Sequence, residues 1–330
     1  MQLSIIIVNW NTRELLMQCL ESVFEQTRVS FELFVVDNAS SDGSAQMVAQ
    51  QFPEVHLIAN DTNNGFAAAN NQAIPLAQGT YVLLLNPDTR VLDHALDKMV
   101  NYLEESRDAG ALACKLLNSD GSLQKSVGNF YSFCNTLLEN RIIPKLAPSN
   151  DFLAKKLVAF WDHNSEREID WARGAVLMVR RAVVEQIGLL DEQFYIYGEE
   201  IDWCWRIKAA GWKIMYIPES EIIHHGKAAS NQRQVEMFIQ NYKSFYIFLK
   251  KHYPLYSYRL YRARTLVYTM LWLTRLSLQW IAAIGNVQKQ ANAKNGLALY
   301  LASLKWHFSA DSKIKVHKKV NTEMFVNADV

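Results

Sequence analysis

The residues best suited to chemistry lie in one stretch, IGLLDEQFYIYGEEIDWCWRIKAAGWKIMYIPESEIIHH, at residues 187–225. Within it, Glu199, Glu200 and Asp202 follow an aromatic run and begin a segment with a helical pattern. Two histidines, the first of them His224, end the apolar run that comes next. A carboxylate at the start of a helix can accept a proton, and an imidazole at the end of a strand can bind a metal ion. Acids in a first helical turn also complement the helix dipole, so this stretch alone favours neither explanation.

A second acidic site makes the functional explanation the better one. The sequence Asn86-Pro87-Asp88 follows the apolar run at residues 81–85. A carboxylate beyond the end of a strand is well placed to hold a hard divalent cation that also bridges two phosphate oxygens. These three residue types are common in turns, so their weight comes from this position and from His224 as a further member of the group.

The elements that must position these residues are short apolar strands that alternate with helices. We predict strands over 3–8, 31–36, 55–59 and 81–85, and helices over 14–25, 44–52 and 66–77. Such a pattern predicts a parallel sheet covered on both faces, in which ligands bind beyond the carboxyl ends of the strands. Asn9, Trp10, Asp37 and the turn that ends at Asp88 should therefore meet at one edge of the sheet.

The turn after the first strand excludes two classes of enzyme. It reads NWNT, without glycine, so the dinucleotide fingerprint is missing, and the phosphate-binding loop pattern GxxxxGK[ST] occurs nowhere in the chain. Asp37, at the end of the second strand, can accept hydrogen bonds from a nucleobase imide or a ribose hydroxyl, whereas turn chemistry explains residues 40–43. Downstream, the sequence predicts a strand over 170–179, a short helix over 181–188, and loops with short helices between 130 and 168.

Although the net charge of the chain is only +1, its acidic and basic residues are unevenly distributed along the sequence. Residues 1–120 contain six Lys/Arg and fifteen Asp/Glu, whereas residues 227–330 contain sixteen Lys/Arg and four Asp/Glu. This asymmetry predicts that the C-terminal third meets an anionic partner, either a membrane surface or a nucleic acid.

The four cysteines lack metal-site spacing, which predicts reduced, buried thiols of a cytosolic protein. The chain enters a predicted strand at once, so we expect no signal peptide.

Seven motifs in order along the chain resemble those of a known family: SIIIVNWN, VVDNASSDGS, NNGFAAANN, LLLNPDT, RGAVLMVRR, GLLDEQFYIYGEEIDWCWRIKAAGW and HHGKAAS. They are similar to family 2 glycosyltransferases, inverting enzymes of the GT-A fold, an α/β fold with a Rossmann-like, mostly parallel sheet. Within that family the similarity is greatest to rhamnosyltransferase-like members of bacterial surface-polysaccharide pathways. The resemblance implies a catalytic domain over 1–230, with a nucleotide-binding half over 1–120 and an acceptor half over 121–230, and a helical extension over 231–330.

The resemblance also implies roles for individual residues. Those expected to line the nucleotide-sugar pocket are Asn9, Trp10, Asp37, Asn64, Gly65, Asn86, Asp88 and Gly174. Asp88 and His224 are implied as ligands of Mg²⁺ or Mn²⁺, in a DXD-type motif that lacks its first Asp, as is usual in this subgroup. The family usually shows Glu-Asp in the acidic motif, with the Asp as catalytic base, so Glu200 takes that place with a side chain one methylene longer. The residues implied to support the base or the acceptor are Glu199, Asp202 and Trp203.

The C-terminal region contains a strongly apolar segment at residues 265–284 that is almost long enough to span a bilayer. Arg275 lies in its middle, where a charge costs about 2.5–3.5 kcal/mol. The polar residues near it share one narrow helical face: Arg264, Tyr268, Arg275 and Gln279. We therefore expect a helix that lies in the membrane interface, although core packing or a homodimer contact would leave the same pattern. The side chains expected to meet the membrane are Lys250, Lys251, Trp272 and Trp280.

Together the family resemblance and these patterns imply a metal-dependent, inverting glycosyltransferase on the cytoplasmic face of the cell membrane. We expect it to move rhamnose from dTDP-rhamnose to a saccharide or lipid-linked saccharide in polysaccharide or O-antigen synthesis, with a UDP- or GDP-sugar as the alternative donor. Two other classes stay open: a non-catalytic carbohydrate- or nucleotide-binding protein on the same fold, and a nucleic-acid-binding protein. The sequence contains no recognised nucleic-acid-binding motif, so we expect no nucleic-acid partner.

Overall fold

The computed structural model describes residues 1–131, 158, 161–226, 230–309 and 314. The described chain divides into two compact units. Residues 1–192 and 199–229 form the first, which we call the sheet unit, and residues 193–198 and 230–330 form the second, which we call the helical unit. The loops and short helices predicted between 130 and 168 lie largely outside the described residues.

The sheet unit is built on one large mixed sheet. Its strands are β1 (Leu3–Asn9), β2 (Phe31–Asn38), β3 (His56–Asn60), β4 (Tyr81–Leu85), β5 (Thr89–Val91), β6 (Ala109–Leu117), β7 (Leu123–Gln124), β8 (Val127–Gly128), β9 (Arg167–Glu168), β10 (Trp171–Ala172), β11 (Val176–Arg180) and β12 (Lys213–His224). The main strand order is β3-β2-β1-β4-β11-β6-β12-β5, with β7 beside β6 and β9 beside β12. Strands β8 and β10 pair separately.

Only part of this sheet is parallel. Strands β3, β2, β1 and β4 run parallel to one another, as the alternation of strands and helices predicted. Strand β11 then lies antiparallel to both β4 and β6, and β5 lies antiparallel to β12. The parallel sheet predicted from the first four strands is therefore confirmed, and the reversal of β11, which the prediction did not include, has a consequence for the site. Because β11 is reversed, its first residue, Val176, lies opposite Leu85 at the end of β4.

Helices cover both faces of the sheet. They are α1 (Arg13–Gln26), α2 (Ser44–Gln51), α3 (Phe66–Ala73), α4 (Ala95–Glu105), α5 (Arg181–Ile187) and α6 (Glu199–Ala209). Alternate side chains of β1 point to opposite faces, as the period of a strand requires. Ile5 and Ile7 share a core with α1, α2 and α4, while Ile6 and Val8 share a second core with α3, α5 and α6.

Two local predictions have clear outcomes. The strand predicted over 170–179 is instead two short strands, β10 and β11, separated by the turn Arg173-Gly174-Ala175, so that prediction was wrong. The prediction of buried, reduced thiols is confirmed for Cys19, Cys114 and Cys204, and burial raises the pKa of each to about 12. Cys134 lies outside the described residues.

The helical unit contains three long helices: α7 (Gln234–His252), α8 (Leu255–Ala282) and α9 (Val287–Phe308). Its core is aromatic: Tyr246 is fully buried, stacks on Trp306 and lies edge-on to Tyr258. The Tyr246 hydroxyl and the His307 Nε2 are 2.8 Å apart. Among the described residues, none of the helices combines the length and the hydropathy that crossing a bilayer requires.

A short segment, Gln193–Gly198, clusters with these helices although it directly precedes α6 in sequence. Within the helical unit, Phe194 is fully buried, and the ammonium of Lys251 lies over its ring at 5.9 Å. The hydroxyl of Ser244 donates a hydrogen bond to the carbonyl of Ile196 at 2.8 Å. Lys251 is itself buried, so the expectation that it faces a membrane was wrong.

Candidate active site

The carboxyl ends of three neighbouring strands meet at one edge of the sheet. In the parallel register Asn9 of β1 lies beside Asp37 of β2, and Ile7 lies beside Leu85 at the end of β4. The Asn9 amide donates a hydrogen bond to Asp37 Oδ1 at 2.9 Å, and Trp10, the next residue, is half-buried. The predicted convergence of these strand ends is therefore confirmed.

Asp37 is 3% exposed, and both of its carboxylate oxygens hold the local turn. Oδ1 accepts from Asn9, and Oδ2 accepts from the backbone N–H of Ser40 at 2.9 Å. A carboxylate has about four lone-pair sites, so a ligand hydroxyl or imide can use those that remain. The turn chemistry predicted for residues 40–43 is observed, since Asp42 Oδ1 accepts from the backbone N–H of Ser44 at 3.0 Å. Asp37 takes part in the same turn through Ser40, and its role toward a ligand stays a prediction.

The loop before α3 closes the same edge. Gly65 has φ +84°, a conformation that suits glycine, and its carbonyl accepts a hydrogen bond from the amide of Asn38 at the end of β2. Asn64 is exposed, and its side-chain oxygen accepts from Thr62. This loop thus presents the Asn64 side chain to solvent while Gly65 fixes the backbone.

A carboxylate and an imidazole face each other beyond β4 and β12. Asp88 Oδ1 lies 3.2 Å from His224 Nε2, and the two residues are 6% and 8% exposed. They come together because β12 pairs with β5, which places His224 opposite Thr89. The pairing joins two residues that are far apart in sequence.

Hydrogen bonds determine which nitrogen of His224 carries the proton. The Gln124 side-chain N–H₂ donates to the His224 carbonyl at 3.0 Å and to Asn118 Oδ1 at 2.9 Å. The other Gln124 atom, Oε1, is therefore an acceptor, and His224 Nδ1 donates to it at 2.6 Å. In the neutral ring, Nε2 is then the nitrogen without a hydrogen, and its lone pair faces Asp88, with the amide nitrogen of Asn86 3.3 Å away. Metal-binding histidines are oriented in this way by a partner on the other ring nitrogen.

The geometry of Asp88 and His224 fits a divalent cation that is shared with a ligand. Asp88 and His224 present a carboxylate oxygen and an imidazole nitrogen 3.2 Å apart, and both atom types bind divalent cations in proteins. Within the described part of the chain, no group of three or more His, Cys, Asp or Glu side chains is arranged to hold a metal ion. These residues thus offer two candidate ligands, and Mg²⁺ sites commonly take the others from water and phosphate.

The two adjacent carboxylates at the start of α6 have different surroundings. Glu199 is 3% exposed, and its Oε2 atom has no hydrogen-bond partner among the described residues. Burial, together with the charge of Glu200, raises the pKa of Glu199 well above its ordinary value, so its neutral form is favoured. Glu200 is half-exposed. An environment that separates two carboxylates in this way is typical of sites that assign them different roles.

Glu200 also lies beside Gly174, at the edge of the sheet that holds the other residues. A methyl group added at Gly174 would lie 3.5 Å from Cβ of Glu200 and 3.5 Å from the ring of Phe66. Gly174 reaches this edge because it precedes the reversed strand β11, and the carbonyl of Ala175 accepts from the backbone N–H of Asn86. The structure therefore brings Glu200 and Gly174 to the strand ends that carry Asn86.

Asp202 and Trp203 are fully buried and hold the connection between α5 and α6. Asp202 Oδ2 accepts from Arg206 Nε at 2.9 Å. The Arg206 guanidinium also donates to the carbonyls of Ile187 and Leu189, both at 2.8 Å, and Trp203 Nε1 donates to a neighbouring carbonyl. Their contacts are those of supporting residues. Sequence reasoning missed Arg206, whose spacing of four residues from Asp202 was the available signal, and Gln124, for which the sequence gave none.

Comparisons with known proteins identify the family to which the chain belongs. The family model described as glycosyl transferase family 2 matches residues 4–155, and the model described as glycosyl transferase family group 2 matches residues 81–308. An N-acetylglucosaminyl-diphospho-decaprenol L-rhamnosyltransferase of Mycobacterium tuberculosis is 27% identical over 271 residues, which cover 75% of this chain and 83% of that protein. Rhamnosyltransferase WbbL of Escherichia coli K12 is 25% identical over 255 residues, which cover 75% of this chain and 92% of that protein.

Among solved structures, the mannosyltransferase PcManGT of Pyrobaculum calidifontis, determined in complex with GDP-Man and Mn²⁺, has the same fold. The two chains superpose with a TM-score of 0.55 at 16% identity, over 93% of this chain and 88% of that one. The predicted GT-A fold, an α/β sheet domain followed by a helical C-terminal region, is thereby confirmed.

Proposed function

The chain belongs to glycosyl transferase family 2 and is a glycosyltransferase, and from this premise we propose that it transfers rhamnose from dTDP-rhamnose to a lipid-linked saccharide. The observation that carries the proposal is the half-exposed Glu200 beside Gly174, at the same sheet edge as the Asp88–His224 pair. Two similar proteins named as rhamnosyltransferases support the choice of sugar. One of their names specifies a diphospho-decaprenol compound, which supports a lipid-linked acceptor.

Glu200 would act as the base. Its carboxylate takes the proton of an acceptor hydroxyl while that oxygen attacks the anomeric carbon of the donor. The bond from the anomeric carbon to the diphosphate oxygen breaks in the same displacement, so the configuration at that carbon is inverted. Glu199 fits a different role, because its neutral form keeps a second negative charge away from Glu200.

Asp88 and His224 would hold the divalent cation, and Asn9, Trp10, Asp37, Asn64, Gly65 and Asn86 would form the nucleotide side of the pocket. When bound, a Mg²⁺ or Mn²⁺ ion neutralises the charge that develops on the departing nucleoside diphosphate. The protein's own contribution is to direct the Nε2 lone pair of His224 and the Asp88 carboxylate to one point. The hydrogen bonds of Gln124 to His224 support this role, because they orient the imidazole ring.

We place the reaction at the cytoplasmic face of the cell membrane, in the synthesis of a surface polysaccharide such as an O-antigen. A lipid-linked acceptor is confined to that surface, and residues 227–330 contain sixteen Lys/Arg and four Asp/Glu. Basic segments are attracted to anionic lipid. The O-antigen biosynthesis protein RfbC of Myxococcus xanthus is 28% identical over 236 residues, which cover 69% of this chain and 18% of that protein, and its name supports a role in polysaccharide synthesis.

The decisive experiment measures nucleotide release from a panel of donors. Purified protein is supplied with dTDP-rhamnose, UDP-sugars and GDP-sugars in turn, with Mg²⁺ or Mn²⁺, and with or without a polyprenyl-diphosphate-linked saccharide. We expect release of dTDP that requires both acceptor and metal ion. If nucleotide is released only from a UDP-sugar or a GDP-sugar, that compound is the donor and dTDP-rhamnose is not. Binding of a nucleotide sugar without any release, under all conditions, would instead indicate a non-catalytic binding protein.

A further inference from the structure

Helix α8 exposes a continuous apolar stripe on the side opposite its packed face. The packed face consists of Tyr258, Thr265, Thr269 and Leu276, all buried within the helical unit. The exposed stripe consists of Tyr256, Leu260, Val267, Met270, Leu271, Leu278 and Ile281, which are 51–69% exposed. Their spacing by three, four and seven residues puts them on one side of a helix. The stripe runs for about 38 Å at 1.5 Å per residue.

The stripe contains no charge, and arginines border it. Arg259 lies on one side in helical projection, and Arg264 and Arg275 lie on the other, all three exposed. Two more apolar side chains are exposed just beyond α8: Ile284 in the turn before α9 is 72% exposed, and Val287 at the start of α9 is 83% exposed. A monomeric soluble protein rarely exposes an apolar surface of this length.

Charge decides what covers the stripe. Residues 237–310 contain ten Lys/Arg and no Asp or Glu. A second copy of the chain would bring an equally basic segment against the first without a carboxylate to pair with it. An anionic lipid surface supplies the complementary charge, and its acyl boundary accepts the apolar side chains.

We propose that the apolar stripe of α8 lies in the interface of an anionic membrane, with Arg259, Arg264 and Arg275 at the level of the lipid headgroups. This inference rests on the membrane setting of the proposed function and gives it a defined surface. It also changes which residues meet the lipid. Lys250 donates to the carbonyl of Ile314, and Trp272 stacks on Tyr300 inside the helical unit. Both are half-buried, so the stripe is the better candidate for the contact with lipid.

The test separates the apolar and the electrostatic parts of binding. Sedimentation of the full chain is measured with vesicles of phosphatidylcholine alone and of phosphatidylcholine mixed with phosphatidylglycerol, at low and high salt. The combined substitution of Val267→Ser and Leu271→Ser should weaken binding on the order of 10-fold at either salt concentration. Replacing Arg259, Arg264 and Arg275 by Gln should weaken it roughly 100-fold at low salt and much less at high salt, because salt screens the attraction.

Matched controls come from the sheet unit. Leu76→Ser removes an exposed leucine, and Arg107→Gln removes an exposed arginine, and neither should change vesicle binding. Circular dichroism checks that the α8 variants keep their helices. Nucleotide release with a soluble acceptor should be unchanged in them, so failure of the transfer reaction can be told apart from failure of this proposal.

Three outcomes would overturn the proposal. The first is that the wild-type chain does not bind anionic vesicles even at low salt. The second is equal binding to phosphatidylcholine alone, which would remove the role of charge. The third is a wild-type dimer, seen by analytical ultracentrifugation, that the Val267→Ser and Leu271→Ser substitutions convert to a monomer, since the stripe would then be a contact between copies.

Discussion

The sheet unit and the helical unit depart from an ordinary soluble domain in opposite ways. The sheet unit buries charge: Asp37, Asp88, Glu199 and Asp202 are all less than a tenth exposed. The helical unit exposes apolar surface, with Leu271 64% exposed. Charged residues are almost never fully buried unless they are paired, and exposed apolar patches of this length are uncommon.

Burying a carboxylate and exposing an apolar stripe have different physical costs, so the two features are different kinds of evidence for function. A buried carboxylate must be paired, hydrogen-bonded or neutral, and the sheet unit uses all three solutions, in Asp202, Asp37 and Glu199 respectively. An exposed apolar stripe has no such local solution, because only a partner can remove it from water. The buried carboxylates therefore indicate a site of chemistry, and the exposed apolar stripe indicates a binding surface.

The largest expected effect tests whether the carboxylates of the sheet unit carry the reaction. Glu200→Gln keeps size and hydrogen bonding but cannot take the proton, so kcat should fall roughly 10²–10⁴-fold while donor binding changes little. Steady-state nucleotide release and donor titration measure the two quantities. Glu199→Gln is the matched control, and we expect it to retain most of its activity because the buried side chain is already favoured in its neutral form. A greater loss of kcat in Glu199→Gln would show that the base has been assigned to the wrong carboxylate.

The next effect concerns stability and contrasts the two units directly. Asp202→Asn removes the charge that pairs with the 9% exposed Arg206, and breaking a buried pair typically costs about 3–5 kcal/mol of unfolding free energy. In the helical unit, Leu271→Ser changes an exposed side chain and should alter the unfolding free energy by about 0.5 kcal/mol or less. Denaturant unfolding of both variants measures the contrast. Equal effects would mean that the exposed stripe is part of a core.

The sequence was enough to predict those parts of the fold that local patterns specify. The apolar runs of β1, β2 and β4 and the intervening helices follow from periodicity, and their shared direction puts Asn9, Asp37 and Asn86 at one edge. The reversal of β11 was not predictable in this way, because a strand's direction in the sheet depends on long-range pairing rather than on its own residues. The break before β11, at Gly174, was overlooked although glycine inside a strand pattern is a recognised signal.

The candidate site was predictable in its carboxylates but not in the residues that orient them. Asp88 and His224 could be grouped from their positions at strand ends, but only the family resemblance implied that they bind one metal ion, since nothing local links positions so far apart in sequence. Gln124 fixes the tautomer of His224 from a two-residue strand that has no sequence signature. Similarly, the difference between Glu199 and Glu200 depends on burial, which adjacent letters in a sequence do not reveal.

A smaller effect is expected at Gln124, where an uncharged residue of the sheet unit acts on the charged pair. Gln124→Leu removes the acceptor of the His224 Nδ1 proton, so the ring loses its fixed orientation toward Asp88. Loss of such an orienting partner typically weakens metal binding about 10–100-fold. Titration of nucleotide release with Mn²⁺ should show a higher half-saturating concentration with little change in the rate at saturation. Gln50→Leu, at an exposed position of α2, is the control. An unchanged Mn²⁺ dependence in Gln124→Leu would contradict the assignment of His224 as a ligand.

The smallest effect is the pH dependence that a buried acid gives to the stability of the sheet unit. Burial and the charge of Glu200 raise the pKa of Glu199 in the folded chain. At pH values below the pKa of an unfolded-chain glutamate, both states are protonated and the full stability is present. As the pH rises, the unfolded chain loses this proton first, so stability falls by about 1.4 kcal/mol per pH unit until the folded pKa is reached. The Glu199→Gln variant has no carboxyl group at this position, so its stability lacks this contribution to the pH dependence.

The difference in unfolding free energy between Glu199→Gln and the wild type should therefore grow with pH in favour of the variant. Denaturant unfolding of both proteins, measured at intervals between about pH 5 and 8, gives this difference directly, and every other titrating group cancels in it to first order. A difference that stays constant across this range would mean that Glu199 ionises as readily in the folded chain as in the unfolded one. The sheet unit would then hold two negative charges side by side at the start of α6. The separation of roles between Glu199 and Glu200 would lose its physical basis.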